Sequence, residues 1–158
     1  MPGKLEAKPS DGLTYKIIGC AMATHRALGP GYREDTYQRD LEARFTEAGL
    51  AFEPQKLLEV YDSQHGQELI GYYVPDFVVA QLVVVEIKAL NGLDNSHLAQ
   101  VIAYLAITGC PVGLLLNFGA RSLQWRRILP PKNVTEHQVN RQWLFVPDWL
   151  KESQLPTS

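Results

Sequence analysis

Two carboxylates and a lysine stand in this sequence where an apolar chain has no structural reason to place them. The run Val83-Val84-Val85-Glu86-Ile87-Lys88 reads as a strand. Side chains alternate across a strand, so Glu86 and Lys88 share one face while Val85 and Ile87 share the other. The apolar run before it, Tyr73 to Val79, carries a single carboxylate, Asp76, directly after Pro75. Ionisable groups on apolar strands are costly unless each finds a partner or a metal. Carboxylate oxygens suit Mg²⁺ or Mn²⁺, and Mg²⁺ is commonly held by one or two carboxylates together with substrate phosphate oxygens. A lysine beside such a metal can neutralise the charge that grows on a phosphoryl group under attack. The plain alternative is a Glu86–Lys88 pair at a solvated strand end, and a lone Glu-x-Lys pattern leaves it open.

The two carboxylates can share a metal only in one register. A two-residue turn at Ala80-Gln81 pairs Val79 with Leu82, and Glu86 then points away from Asp76, because a one-residue slip swaps every side chain between faces. A shared site requires Val79 opposite Val83, with Ala80-Gln81-Leu82 as a three-residue loop, or else a bulge next to Asp76, where Pro75 removes a ladder donor. One of these two devices is therefore expected, bringing the carboxylates within about 5 Å of each other so that both reach one metal at roughly 2.0–2.6 Å.

Other polar residues sit at helical spacings. Glu34 falls in the first turn of a helix, where a carboxylate interacts favourably with the helix dipole and needs no other role. Tyr37, three residues on, faces the same side and is expected to pack in the core with its hydroxyl on a polar neighbour. Gln100 and Tyr104 are four apart on a later helix, on a flank beside the apolar stripe through Leu98 and Leu105. On spacing alone a plain, partly exposed helix flank is the preferred account of them. His25, His65, His97 and His137 share no motif, so a histidine metal site is not expected, although His97 is placed to approach whatever Gln100 contacts.

Taken in order, these elements resemble a known family. Pro75-Asp76 followed by Glu86-Ile87-Lys88 resembles the signature of the PD-(D/E)XK nuclease superfamily. Gly31-Tyr32-Arg33-Glu34-Asp35-Thr36-Tyr37 matches the pattern that names the GxxExxY family within it. Gln100 to Tyr104 looks like the QxxxY element of the exonuclease-like branch, and Gly113-Leu114-Leu115-Leu116-Asn117-Phe118 resembles the closing strand. The resemblance spans about Leu13 to Ile128. It implies a restriction-endonuclease-like core, with Asp76, Glu86 and the backbone carbonyl of Ile87 holding Mg²⁺ or Mn²⁺. It places Glu34 above that metal, directly or through water. Lys88 would orient the attacking water or stabilise the anionic transition state, and Gln100 and Tyr104 would contact substrate. The implied reaction is phosphodiester hydrolysis leaving a 5′-phosphate and a 3′-hydroxyl, with DNA favoured over RNA as the partner.

The elements that must position these residues follow from periodicity. Leu13, Ile17, Cys20, Ala21 and Leu28 recur at helical spacing, with Thr24 the one polar member of the stripe. Leu28-Gly29-Pro30-Gly31 breaks that helix, and a second runs from about Tyr32 to Ala48 with Tyr37, Leu41, Phe45 and Ala48 on one face and Gly49 as its stop. Phe52–Tyr61 and Leu69–Val79 read as strands joined by a hairpin turn through Asp62 to Gly66. Leu82–Lys88 is a third strand. Ser96–Thr108 is a helix with Leu98, Val101, Ile102 and Leu105 inward, stopped by Gly109. Pro111–Asn117 is a buried strand, and Leu123–Leu129 is a further one. The expected fold class is α/β, in the order ααβββαβ(β), a mixed sheet with flanking helices. Residues 1–11 read as a polar lead-in, 12–129 as the domain, and 130–158 as an extension.

Composition excludes several classes. The chain has 158 residues, 46% hydrophobic and 20% charged, with 10 Pro and 12 Gly dispersed, which fits one ordinary globular domain. A net charge of −2 argues against a protein that coats nucleic acid, because phosphate neutralisation supplies most of that affinity. Cys20 and Cys110 form no CxxC pair, so both are expected as free core cysteines. The longest apolar run, Val101 to Ile107, is far short of a membrane span. The polar start lacks the apolar stretch of a secretory signal. A cytoplasmic protein without a membrane partner is the expectation. Trp143, Phe145 and Trp149 in the extension are expected to pack back on the domain, while a homodimer or protein partner stays open for them, as does stacking on bases. Two functional classes remain at this point: a metal-dependent nuclease, and a non-catalytic module that binds nucleic acid or a partner on the same fold.

Overall fold

A computed structural model describes residues 9–62 and 68–130. The expected hairpin turn, His65, His137 and the 130–158 extension with its aromatics lie almost wholly outside the described residues. Three helices are present, α1 (Pro9–Leu28), α2 (Glu34–Glu47) and α3 (Asn95–Thr108). The strands are β1 (Phe52–Pro54), β2 (Leu58–Asp62), β3 (Glu68–Tyr73), β4 (Phe77–Val79), β5 (Val83–Lys88), β6 (Val112–Asn117) and β7 (Gln124–Ile128). Among the described residues no helix is long and apolar enough to cross a membrane.

The main sheet is mixed, with order β1-β4-β5-β6-β7. β5 and β6 run parallel, connected through α3, and every other neighbour is antiparallel. Alternation along β5 sorts the core into two layers. Val83, Val85 and Ile87 pack with Ile17, Ala21, Tyr37, Leu41 and Phe45 of α1 and α2. Val84 packs on the opposite face with Val101, Tyr104 and Leu105 of α3. Glu86 and Lys88 have the parity of Val84, so they belong to the α3 face.

The structure corrects several expectations. Each long strand is two strands: Phe52–Tyr61 breaks after Pro54, where Gln55 takes a positive φ of 47°, and Leu69–Val79 breaks at Val74-Pro75-Asp76. Pro75 has no N–H to give a ladder, and the residue before a proline is held extended. The inner halves, β1 and β4, join the main sheet, and the outer halves, β2 and β3, form a separate two-stranded ribbon. The order is therefore ααβββββαββ, and Asp76 stands at the bend rather than inside a strand. α1 begins at Pro9 rather than near Leu13, and α2 at Glu34 rather than Tyr32. Ala48, expected on the buried face of α2, is its exposed C-cap. Tyr104, expected on a helix flank, is a core residue at 4% exposure.

Several local signals act as expected. Gly109 ends α3 in the left-handed conformation, φ 71°, where its N–H bonds the Leu105 carbonyl, a backbone geometry that a Cβ disfavours. Tyr37 is fully buried, stacks on Phe118 at 4.8 Å and donates its hydroxyl to the Gly29 carbonyl. Thr24, the polar member of the α1 stripe, is buried with its apolar neighbours. Cys20 and Cys110 are free thiols; Cys110 is a core residue, whereas Cys20, expected in the core too, is only partly buried.

Candidate active site

The β4–β5 connection decides whether the carboxylates meet. Phe77 pairs with Val85, Val78 with Val84 and Val79 with Val83. The loop is therefore the three-residue Ala80-Gln81-Leu82, closed by a bond from the Leu82 N–H to the Val79 carbonyl. Ala80 and Gln81 take positive φ values of 51° and 60°. This register sets Asp76, one residue before β4, opposite Glu86. Of the two devices that could align them, the odd-length loop is the one present.

Backbone hydrogen bonds lock the pair. The Ile87 N–H donates to Asp76 Oδ2 at 2.7 Å, and the Asp76 N–H donates to Glu86 Oε1 at 3.2 Å. The Gln55 N–H bonds the Asp76 carbonyl at 2.9 Å, bridging the breaks in the two neighbouring strands. Glu86 is 3% exposed. Burial, and then the Asp76 carboxyl beside it, push its pKa up to about 9, while the Lys88 ammonium acts in the opposite sense. Burial and the adjoining carboxyl thus favour a proton on this pair when no cation is bound.

Beneath the pair lies Tyr104 of α3. Its hydroxyl accepts from Gln100 Nε2 at 3.2 Å and donates toward the Val74 carbonyl at 3.4 Å. Burial first, and then the nearby Glu86 carboxylate, raise its pKa. The structure thus joins Gln100 and Tyr104 to each other and to the Pro75 bend, with Tyr104 packed under the carboxylates and Gln100 half-buried at the helix edge.

Glu34 arrives from the other layer. With Arg33, Asp35, Gln38, Gln55 and Asp76 it lines an open groove of about 420 Å³, so the first turn of α2 borders the Asp76 side of the site. Among the described residues no group of three or more His, Cys, Asp and Glu side chains converges. Glu34 shares the groove with Asp76 but does not join the locked pair. His97 is engaged elsewhere: its Nδ1 accepts from the Asp94 N–H at 3.0 Å while the Asp94 carboxylate accepts from the Ser96 N–H, a reciprocal cap on α3.

Two contributors carry no role in the sequence reading. Asn117 ends β6 next to Lys88 in the parallel register and is fully buried. Its Oδ1 accepts from the Leu90 and Gly119 N–H groups, and its Nδ2 donates to the Leu90 carbonyl and Gln124 Oε1. The Phe118 N–H also bonds the Lys88 carbonyl at 2.9 Å. A Cβ on Gly119 would lie 2.4 Å from the Leu90 nitrogen. The chain just past Lys88 is held on these contacts, and the detectable signal was a polar residue closing an apolar strand. Gln38, the second contributor, follows Glu34 by one helical turn, a spacing that places both on one face.

The model of a family described as the PD-(D/E)XK nuclease superfamily matches residues 11–128. The crystal structure of SSO0001 is similar at a TM-score of 0.48 and 18% identity, over 66% of this chain and 57% of that one. The chain thus spans little more than half the length of that structure. No curated protein matches.

Proposed function

Because the chain belongs to the PD-(D/E)XK nuclease superfamily, we propose that it is a divalent-metal-dependent nuclease of the GxxExxY type, acting on DNA. The observation that carries this reading is the locking of Asp76 to Glu86, with Lys88 next along the same face. An all-oxygen donor set suits Mg²⁺ or Mn²⁺, and two adjoining buried carboxyls, whose burial and mutual repulsion oppose ionisation, form a place that a cation fits. Asp76, Glu86 and the Ile87 carbonyl oxygen would hold it, and Glu34 would reach it directly or through water. A bound Mg²⁺ or Mn²⁺ supplies Lewis acidity to the phosphate and a lowered pKa to a coordinated water.

The chain's own groups supply the rest. Lys88 orients the attacking water or donates to the anionic phosphoryl oxygens, where loss of one donor costs roughly 10²–10³ in rate. Gln100 contacts the substrate from the edge of α3, and Tyr104 holds Gln100 at that edge. Water adds at phosphorus and the bond to the 3′ oxygen breaks, leaving a 5′-phosphate and a 3′-hydroxyl. Free Cys20 and Cys110 accord with a reducing compartment, and the cytoplasm is the setting we assign. The test is cleavage of labelled single- and double-stranded DNA and RNA with Mg²⁺, Mn²⁺ or chelator. Cleavage of DNA that needs metal and disappears in Lys88→Ala is expected. Turnover that survives chelation, or is unchanged in Lys88→Ala, overturns the mechanism, and no turnover on any substrate leaves the non-catalytic binding module in its place.

A further inference from the structure

The outer ribbon brings an aromatic ring to the edge of the carboxylate site. In β3, Tyr73 pairs with Leu58 and Tyr72 with Glu59, so alternation sets Tyr73 on the Leu58 face and Tyr72 on the opposite one. Leu58 is fully buried and packs with Ile107 of α3, which identifies the Tyr73 face as the one laid against that helix. Tyr73 accordingly meets Tyr104, with ring centroids 6.2 Å apart and planes at 80°. Tyr104 is the residue packed under the carboxylates, and the Glu86 and Asp76 carboxyls both act on its hydroxyl. Only Val74 and Pro75 separate Tyr73 from Asp76 in the chain, so their Cα atoms lie no more than about 11 Å apart.

The Tyr73 ring is held in place and still open to solvent. A Cβ on Gly71 would lie 3.3 Å from Tyr73 Cε2, so the ring lies back along its own strand over the glycine, and Tyr104 restrains it as well. Tyr73 is nevertheless 40% exposed, and Val74 beside it 41%. Tyr72 is equally open, at 45%, but it faces away from α3, so exposure alone distinguishes nothing and position decides. A tyrosine has two side-chain torsions, and one already restrained by packing loses little entropy when a ligand covers it. Aromatic rings bordering a nucleic-acid site serve as platforms on which bases stack, whatever the base sequence.

We propose that Tyr73 is a stacking platform for the base of a nucleotide flanking the scissile phosphate, and so a specificity residue on the α3 side of the carboxylate site. The inference rests on the nuclease reading and deepens it by naming the form of the substrate. The scissile phosphate lies at the Asp76–Glu86 pair and Lys88, and the neighbouring base covers Tyr73 and Val74. Bases inside a duplex have both faces covered by their neighbours, so the platform takes an unpaired or strand-terminal nucleotide.

The test is fluorescence anisotropy in EDTA, which stops turnover, with two labelled single strands of equal length: an oligothymidylate, and an abasic strand that carries the same phosphates without bases. Wild type is expected to bind the thymidine strand more tightly. Tyr73→Leu, which keeps an apolar side chain against Tyr104, is expected to weaken binding of the thymidine strand about tenfold and to leave the abasic strand unchanged. Tyr73→Phe should retain the wild-type discrimination. Tyr72→Leu, on the other face of the same strand, should match wild type on both probes. Equal losses on the two probes in Tyr73→Leu, no loss on either, or the same loss in Tyr72→Leu overturns the proposal. A protein that shows the Tyr73 dependence but never cleaves fails as a nuclease while keeping the platform. One that cleaves through Lys88 with no Tyr73 dependence fails the platform alone.

Discussion

Asp76 lies opposite Glu86 because Val79 pairs with Val83, not with Leu82. One residue in the loop decides it. The Ile87 amide then holds the Asp76 carboxyl and the Asp76 amide holds the Glu86 carboxyl, keeping the two in one place.

Metal binding is the first consequence. Mn²⁺ titrated calorimetrically into the wild-type protein should bind with an affinity that Asp76→Ala and Glu86→Ala each abolish. Lys88→Ala should retain it, since the ammonium is a neighbour of the site and not a ligand. Unchanged Mn²⁺ binding in Asp76→Ala would remove the carboxylate pair from the mechanism.

The raised pKa of Glu86 makes the metal-free protein sensitive to alkali. Unfolded, the carboxyl titrates near its ordinary value of 4.5; folded, it titrates at about 9. Between these values the native state holds a proton that the unfolded chain releases. The stability contribution of Glu86 is thus full below pH 4.5 and is lost as pH rises toward 9, by at most about 1.4 kcal/mol per pH unit. Urea unfolding in EDTA should show Glu86→Gln gaining on wild type as pH rises from 5.5 to 8.5. Parallel pH profiles for the two proteins would contradict this. Added Mn²⁺ should stabilise wild type more at the higher pH, because metal must displace the proton.

Ala80 and Gln81 occupy left-handed backbone, a conformation that costs a residue with a Cβ roughly 1–2 kcal/mol. Ala80→Gly and Gln81→Gly should therefore each raise stability, by about 0.5–1 kcal/mol, while leaving Mn²⁺ affinity unchanged. Deleting Gln81 shortens the loop to two residues and turns Glu86 to the other face. That variant should lose metal binding out of proportion to any loss of fold, measured by calorimetry beside circular dichroism.

Asn117 satisfies both backbone groups of Leu90. Asn117→Ala leaves them without these partners in a part-buried setting and should cost about 2–6 kcal/mol, at roughly 1–3 per orphaned group. Because Lys88 lies just upstream, the same variant should lower kcat while Mn²⁺ affinity, set by Asp76 and Glu86, is retained. Unaltered kcat in a folded Asn117→Ala protein would separate Asn117 from the positioning of Lys88.

Much of this molecule was legible residue by residue, because alternation and helical spacing are local properties. Val85 and Ile87 against Glu86 and Lys88, the α1 stripe through Ile17 and Ala21, the stop at Gly109, and the requirement for an odd loop at Gln81 all follow from the chain's own periods. What those periods cannot contain is which segments pair over a distance. Pro75 and Gln55 break two apparent strands at matching points, and only the pairing of β1 with β4 and of β2 with β3 shows that the halves enter different sheets. Tyr104 looked like a flank residue on its own helix. It is buried because α3 lies against the very face of β5 that carries Glu86. Asn117 looked like the polar end of a strand. Its role past Lys88 exists only because β6 runs parallel beside β5. The sequence determined which side chains share a face; the packing of α3, β6 and the first turn of α2 around β5 decided which faces meet, since contacts between distant segments depend on the whole core closing at once.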